Sequence, residues 1–500
     1  MLKAIILIFA LGAIFIYPLS LLLFAFINFC IVAIKNLFSY FIFNTNSQNN
    51  SKCLNSQKLN ENFVSVLVAI YNEPPLLVNN TLLSLSKQNY KNYEVLVLDN
   101  NTSNETVWKP VQKFCEELGV KFKFYHVENL RGFKAGALNW LMKKVNPKSK
   151  YVAIIDADYQ SDPDFLVTTV NDFTDQKIAF VQLPQAYSNV SELNRGLAIE
   201  YEYFFDNYMI KAQNLECVNA TGTLGMFNIE MLKKLGGFNT STITEDAELG
   251  TRIALAGYKG IYVPKIMGKG LMPHNLLDLK LQRIRWAVGN AQVLRKYFFS
   301  ILKSPYLNWK QKFSLYSQLM AWANFTFPAT FLIILIATFK LFSFSLPSWD
   351  AVFITSLATI VLFLVLKLFS FYLTFKDKYG KPLIIRAFLV HIGINYVYSM
   401  YYFSGLMNLQ FDFVRTNKFL NKNIPGIFST IFGELIFVFF LFLLSIGLLS
   451  LKEYFYFFTM IIITSITLTI LFTLKETTAT ETESKKIFIK IKNMLSNLKI

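Results

Sequence analysis

The chain has 500 residues, 53% of them hydrophobic, with 50 Phe and a mean hydropathy of +0.38, a balance that points to a membrane protein with a soluble insert rather than a soluble two- or three-domain protein. A net charge of +17 arrives without basic stretches interleaved with aromatics, which sets a nucleic-acid partner aside; the Lys and Arg suit cytoplasmic loops and anionic lipid instead. Four scattered cysteines (Cys30, Cys53, Cys115, Cys217) and three dispersed histidines (His126, His274, His391) predict neither a disulfide framework nor a zinc site.

Residues 4–34 are uncharged and largely apolar, too long for a signal-peptide core and without a small-residue cleavage site, so the first unit, 1–36, is expected to be a retained transmembrane helix. A polar linker follows over 37–62. From Phe63 to Arg295 the composition becomes that of a soluble α/β domain. Strands are predicted at Val64–Ile70, Glu94–Leu98 and Tyr151–Ile155, with helices at Thr81–Gln88 and Val107–Leu118. Alternation of this kind argues for a mostly parallel sheet whose ligand site lies at the carboxyl ends of its strands, where Asp99 and Asp156 fall.

An interfacial connection is expected at 296–314, and apolar spans return at 315–341, 351–374, 383–408, 429–450 and 453–474. The third carries Arg386, His391, Asn395, Tyr396, Tyr398, Tyr401 and Tyr402, a composition for the bilayer interface rather than its core. If it lies flat on the cytoplasmic side, the loop 411–425 and the basic tail 475–500 both fall inside, as the positive-inside tendency requires. The expected topology is then one membrane helix before the α/β domain and four after it, with that domain and the C-terminus cytoplasmic. About 25 residues after the last span leave room for a short tail alone, whose Ile487, Ile491, Met494, Leu495 and Leu498 recur at the spacing of a surface-lying helix.

Several short motifs carry chemistry. Asp156 and Asp158 flank one alanine just past a strand, where two carboxylates can hold a divalent cation that neutralises a diphosphate; Mg²⁺ and Mn²⁺ both suit such oxygen ligands. A solvated acidic turn is the plainer reading of Asp-x-Asp taken alone. Lys134, in Lys134-Ala135-Gly136, can serve as a point charge for phosphate, with glycines allowing close backbone approach. Thr244-Glu245-Asp246 opens an apolar-periodic run, Ala247–Ala256, and by itself could be only a helix cap. In Gln282-Arg283-Ile284-Arg285-Trp286 an indole face suits a sugar ring and an arginine suits departing negative charge, although a basic helix entering a membrane would look similar.

In this order and spacing, with hydrophobic spans on both sides, the motifs resemble the membrane-embedded family 2 glycosyltransferases, the group of the cellulose, mannan and hyaluronan synthases. The stretch Ile154–Leu166 resembles the mannan-synthase-like branch in particular. The resemblance covers about 63–425. It implies a GT-A-type (Rossmann-like) α/β catalytic domain, 63–295, joined to an α-helical transmembrane region, 315–474. Donor contacts are implied for Tyr71, Asn72, Glu73, Asp99, Lys134, Asp156, Gln282 and Arg285, with metal at Asp158 and Asp156. Asp246 becomes the base that deprotonates the acceptor hydroxyl, with Glu245 orienting or covering the site; one base opposite the leaving diphosphate implies inversion. Acceptor contacts are implied for Trp286, Thr221, Gly222 and Thr223. Phe413-Val414-Arg415-Thr416-Asn417-Lys418 resembles the gating loop of the synthases, with Arg415 where the family usually has Val and Asn417 where it often has Pro. The expected partners are a nucleotide sugar (UDP-glucose or GDP-mannose), a polysaccharide or glycolipid acceptor and the lipid bilayer of the plasma membrane. A processive β-linked hexose polymerase is the leading expectation, and a single-addition enzyme loading a lipid acceptor is the alternative. A transporter with a soluble regulatory domain is disfavoured, because the C-terminal spans hold almost no paired intramembrane charges.

Overall fold

The computed structural model describes residues 61–324, 349–409, 430–436, 439 and 453–497. The expected first membrane helix, most of the 37–62 linker, most of the 315–341 and 429–450 spans and the gating-like loop with Phe413, Arg415, Thr416 and Lys418 lie outside the described residues.

A seven-stranded sheet organises the domain, in the order β3-β2-β1-β4-β8-β6-β9. Its first half is built from β1 (Phe63–Ile70), α1 (Pro75–Leu85), β2 (Tyr93–Asn100), α2 (Glu105–Leu118), β3 (Phe122–Val127), α3 (Phe133–Met142) and β4 (Ser149–Ile154). These four strands are parallel, with β1 pairing both β2 and β4. The hydrophobic runs read in the sequence are buried on both sheet faces: Val64, Val66 and Val68 enter one cluster while Leu67 enters the other. Each such Val or Leu, fully withdrawn from water, contributes about 1.5–3 kcal/mol.

The second half departs from simple alternation. After β5 (Gln160–Ser161), α4 (Phe165–Asn171), β6 (Ile178–Gln182) and β7 (Ala186–Tyr187) comes a long helical stretch, α5 (Arg195–Tyr203), a π-turn over Phe204–Met209 and a last turn Ile210–Asn214. Strand β8 (Gly225–Asn228) then inserts antiparallel between β4 and β6. Helices α6 (Ile229–Lys234) and α7 (Glu245–Leu255) lead to β9 (Lys259–Tyr262), parallel to β6, and β10 (Gly268–Gly270), which joins a small sheet in the order β5-β10-β7. The result is a mixed GT-A-like α/β sheet.

Beyond it run α8 (Leu276–Lys303), α9 (Trp309–Leu319), α10 (Trp349–Phe375), α11 (Lys381–Gly393), α12 (Asn395–Leu406) and α13 (Glu453–Asn497). Among the described residues no single helix is long and apolar enough to cross a membrane, although α11 and α12 pass that test together with a 45° bend between them.

Three expectations need correction. The first helix spans Pro75–Leu85 rather than Thr81–Gln88, because Pro75 at its first position presets the backbone and Leu77, Val78 and Leu82 are buried there. The single interface helix expected at 383–408 is two helices, since α11 packs on α5 and α13 whereas α12 must turn to lie along α8. The tail is not a separate surface helix: α13 runs unbroken into it, and Thr473, Thr477, Thr480 and Ser484 are buried. Asn189 Nδ2 donates to Ser484 Oγ (2.9 Å) and Asn194 Nδ2 to Thr480 Oγ1 (3.0 Å), so these hydroxyls bind the tail helix to the α/β domain.

Candidate active site

The strand ends carry the first group of residues. β4 delivers Asp156 and Asp158 beyond Ile154, as the strand-end rule predicts. Asp158 is buried, and its Oδ2 accepts from the Leu271 backbone N–H (3.0 Å), which fixes the turn against the end of β10. Asp156 is more open; its N–H donates to Thr223 Oγ1 (3.0 Å) and its Oδ1 pairs with the Lys134 ammonium at the start of α3.

Lys134 also lies 3.9 Å from Glu245 Oε1 at the start of α7. Burial alone would lower its pKa, but Asp156, Glu245 and Asp246 outweigh burial and raise it, so the ammonium stays charged. The carboxyls respond in turn. Glu245 is pushed up to about 7 by burial and by Asp246, and Asp246 is raised by burial against the opposing pull of Lys134. Thus one cation serves three carboxylates, and the protein alone leaves the cluster acidic.

Gly222 completes this cluster. Its φ is +88°, and a Cβ there would stand 2.9 Å from Asp246 Oδ2 and 3.7 Å from Lys134 Nζ. Only glycine meets both the left-handed backbone and the close approach. The segment is held from below by Gln182, whose Oε1 accepts from the Thr221 N–H (3.0 Å) and whose Nε2 donates to the Thr223 carbonyl (2.9 Å). Sequence reading passed over Gln182, which looks like any residue at the end of a buried strand.

Thr244 is the N-cap of α7 but its side chain makes no capping bond, which removes the cap as the reason for Thr-Glu-Asp. It packs instead against α8: a Cβ on Gly289 would fall 2.4 Å from Thr244 Cγ2. That close approach seats the Glu245-Asp246 pair against the helix that carries Gln282, Arg285 and Trp286.

A second cluster forms at the ends of β2 and β3. Asp99, 1% exposed, accepts from Thr102 Oγ1 (2.7 Å) and faces His126 Nδ1 (2.8 Å); Asn72 N–H donates to the same Thr102 hydroxyl (2.7 Å). Burial raises the Asp99 carboxyl, with Thr102 and His126 opposing. Trp108 stacks on His126 at 4.3 Å between ring centroids. Neighbouring Tyr71 is exposed, and its N–H donates to Glu73 Oε2. Asn100 Nδ2 reaches the Phe133 carbonyl (3.4 Å), tying this cluster to the helix of Lys134.

The third group lies on α8. Tyr201 OH donates to Gln282 Oε1, and the Tyr201 ring meets Trp286 edge-on at 5.8 Å. Arg283, to which the sequence assigned no role, is 1% exposed and ion-paired with buried Glu200. Burial pushes the Glu200 carboxyl up, but Arg283, His391 and Tyr398 outweigh it and hold it at about 2. Arg285 is half-buried, and its charge is felt at Tyr201.

No group of three His, Cys, Asp or Glu side chains gathers as a metal site among the described residues. What β4 offers is two carboxylates on one turn, and Mg²⁺ is commonly held by one or two carboxylates together with substrate phosphates. The residues present therefore fit a cation that arrives with a diphosphate.

Two family models match the chain: "Glycosyl transferase family 2" over residues 65–236 and "Glycosyl transferase family group 2" over 151–375. The chain belongs to the family 2 glycosyltransferases. It is 31% identical over 313 residues to glucomannan 4-beta-mannosyltransferase 7 of Arabidopsis thaliana, covering 60% of this chain and 56% of that protein. With glucomannan 4-beta-mannosyltransferase 9 of the same plant the identity is 32% over 279 residues, covering 53% and 52%. The chain thus spans about half the length of the curated relatives it matches. Among solved structures, the mannosyltransferase PcManGT from Pyrobaculum calidifontis, in complex with GDP-Man and Mn2+, superposes with a TM-score of 0.51 at 20% identity, over 78% of this chain and all of that one. At that identity the likeness establishes the shared fold.

Proposed function

We propose that this protein is an inverting mannosyltransferase that takes mannose from GDP-mannose and adds it to the end of a β-linked mannan. The observation that carries the reading is the meeting of Lys134, Asp156, Glu245, Asp246 and Gly222, drawn from four separate segments into one acidic cluster around one ammonium. The names of the plant relatives, glucomannan 4-beta-mannosyltransferases, support mannose and a β-linkage over other hexoses.

The chain's own residues do the following. A carboxylate oxygen of Asp246 takes the proton from the acceptor hydroxyl as that oxygen bonds to the anomeric carbon of the donor. The bond from that carbon to the diphosphate breaks on the opposite side, so an α-linked donor gives a β-linked product. The raised pKa of Asp246 makes it a better base than an exposed aspartate. Lys134 supplies fixed positive charge for the diphosphate, and Gln282 and Trp286 form the wall on which the sugars lie. Asp156 and Asp158 would hold Mg²⁺ or Mn²⁺, which supplies charge neutralisation for the departing diphosphate. The C-terminal helices are proposed to anchor the enzyme in the plasma membrane with the catalytic domain cytoplasmic and to pass the growing chain outward; the apolar spans and the basic segments between them support that topology.

The test is incubation of the purified full-length chain with a panel of nucleotide sugars and Mn²⁺. GDP release from GDP-mannose and a polymer cleaved by β-mannanase are expected. Release of UDP alone, or a product resistant to β-mannanase, would replace mannose by another sugar. A product one sugar long on a lipid would replace polymerisation by single addition.

A further inference from the structure

We propose that Arg283 is a positioning residue for the acceptor platform, gripping Trp286 from behind on instruction from the helix pair α11–α12 through Glu200. The inference rests on the reading of Trp286 as the surface that receives the acceptor sugar.

Arg283 is the largest fully buried side chain described in the structure. Its guanidinium carbon lies 3.9 Å from the Tyr201 ring centre and 4.4 Å from that of Trp286, in the corner between two rings set at 87° to one another, with Trp322 a further 5.8 Å contact. A desolvated cation–π contact of this kind orients the indole as well as attracting it. Tyr201 does a second service, because its hydroxyl donates to Gln282 and so links the two ends of the motif.

The far end of the network belongs to other helices. Arg283 Nη2 pairs with Glu200 Oε2, while Glu200 Oε1 accepts from Tyr398 OH (3.0 Å) on α12 and faces His391 Nδ1 (3.0 Å) on α11. His391 Nε2 in turn faces Asn324 Nδ2 (3.2 Å). One carboxylate therefore joins the acceptor helix to both members of the bent pair. Burying a charged pair is costly, and an apolar replacement of similar volume often stabilises a fold as well or better. A fully buried guanidinium between the sugar platform and the helices packed behind it is thus poorly explained by stability alone. It is well explained by orientation: the ring angle of Trp286 follows the position of Glu200, and Glu200 follows α11 and α12.

The test uses the full-length chain in detergent and two ligands, mannohexaose and GDP-mannose, with binding followed by calorimetry so that turnover is not needed. Arg283→Lys keeps the charge for Glu200 but replaces the planar guanidinium, which meets Glu200 and both rings at once, by a single point charge. Mannohexaose binding should weaken by roughly tenfold, the scale of a desolvated cation–π contact, while GDP-mannose binding stays within about twofold. Tyr398→Phe, which leaves every charge in place but removes one charge-assisted hydrogen bond to Glu200, should weaken mannohexaose by about threefold, a part of what such a bond is worth, because it reaches Trp286 only through Arg283. Made on top of Trp286→Ala, Arg283→Lys should have no further effect, because the group it positions is gone. A purely structural role predicts instead that both ligands weaken alike, or that Arg283→Lys acts equally in both backgrounds, and either result overturns the proposal. If Arg283→Lys does not fold, Tyr398→Phe decides: unchanged mannohexaose binding overturns the proposal. If Trp286→Ala binds mannohexaose as well as the parent, the platform reading itself falls, an outcome distinct from a silent Arg283→Lys beside a damaging Trp286→Ala.

Discussion

Asp246→Asn separates chemistry from binding and stability. The carboxylate Oδ1 accepts from the Ala247 N–H (2.8 Å), and an amide oxygen keeps that bond. The other oxygen faces Gly222, where an NH₂ of the same size fits, so the backbone has no reason to move. What changes is charge and basicity. Without its base the transfer step should slow by on the order of 10²–10⁴, equivalent to about 3–5 kcal/mol in the barrier. Stability should move the other way. Asp246 now raises the Glu245 carboxyl by repulsion, and three carboxylates share one lysine. Removing one relieves that repulsion by on the order of 1 kcal/mol, since Lys134 already offsets part of it, which corresponds to a rise of about 2–4 °C in Tm. The assay is GDP release from GDP-mannose with calorimetric donor binding and a melting curve on the same preparation. A rate within tenfold of the parent would remove Asp246 from the role of base. Loss of donor binding together with a lowered Tm would make it a structural residue instead.

Glu245→Gln addresses pH. Burial and Asp246 raise the folded-state value from 4.5 to about 7, so within that window the folded protein holds a proton the unfolded chain releases, and this group's contribution to stability falls as pH rises. The glutamine variant lacks that slope; its Tm should gain on the parent between pH 5 and pH 7 by the equivalent of roughly 2–3 kcal/mol, and parallel Tm–pH curves would contradict the assignment. Metal dependence should follow β4: EDTA stops transfer, Mg²⁺ or Mn²⁺ restores it, Ca²⁺ does so poorly, and Asp158→Ala abolishes the rescue, whereas full activity in EDTA would remove the metal. Topology is testable with single cysteines at Ser348, Asn421 and Ile489 in a background without native cysteines, labelled on intact cells by an impermeant reagent; Ile489 is 62% exposed, whereas Ser484 is buried against Asn189 and would be masked on either side. Reaction at position 348 alone fits the proposed membrane arrangement, and modification at 421 would reject it.

The strands and their functional ends were legible in the sequence because they are local. A buried parallel strand shows as a short run of about 4–8 apolar residues, and β1, β2 and β4 carry such runs in Val66–Ile70, Val95–Leu98 and Tyr151–Ile154, with Asp99 and Asp156 following at the ends. The helix of Glu245 and Asp246 was legible for the same reason. Long-range placement was not. Strand β8 has four residues, Gly225–Asn228, too few for a periodic signal, and its antiparallel insertion is fixed by pairing with β4 and β6 on either side. The ion pair between Lys134 and Asp156 and the approach of Glu245 to the same ammonium depend on how α3, β4 and α7 converge, which no local pattern encodes. Arg283 reads in sequence as one more basic residue on a basic helix. Only the packing of α5, α11 and α12 around α8 withdraws it from water, surrounds it with rings and gives it Glu200, since burial and partnership are properties of the assembled helices rather than of the chain.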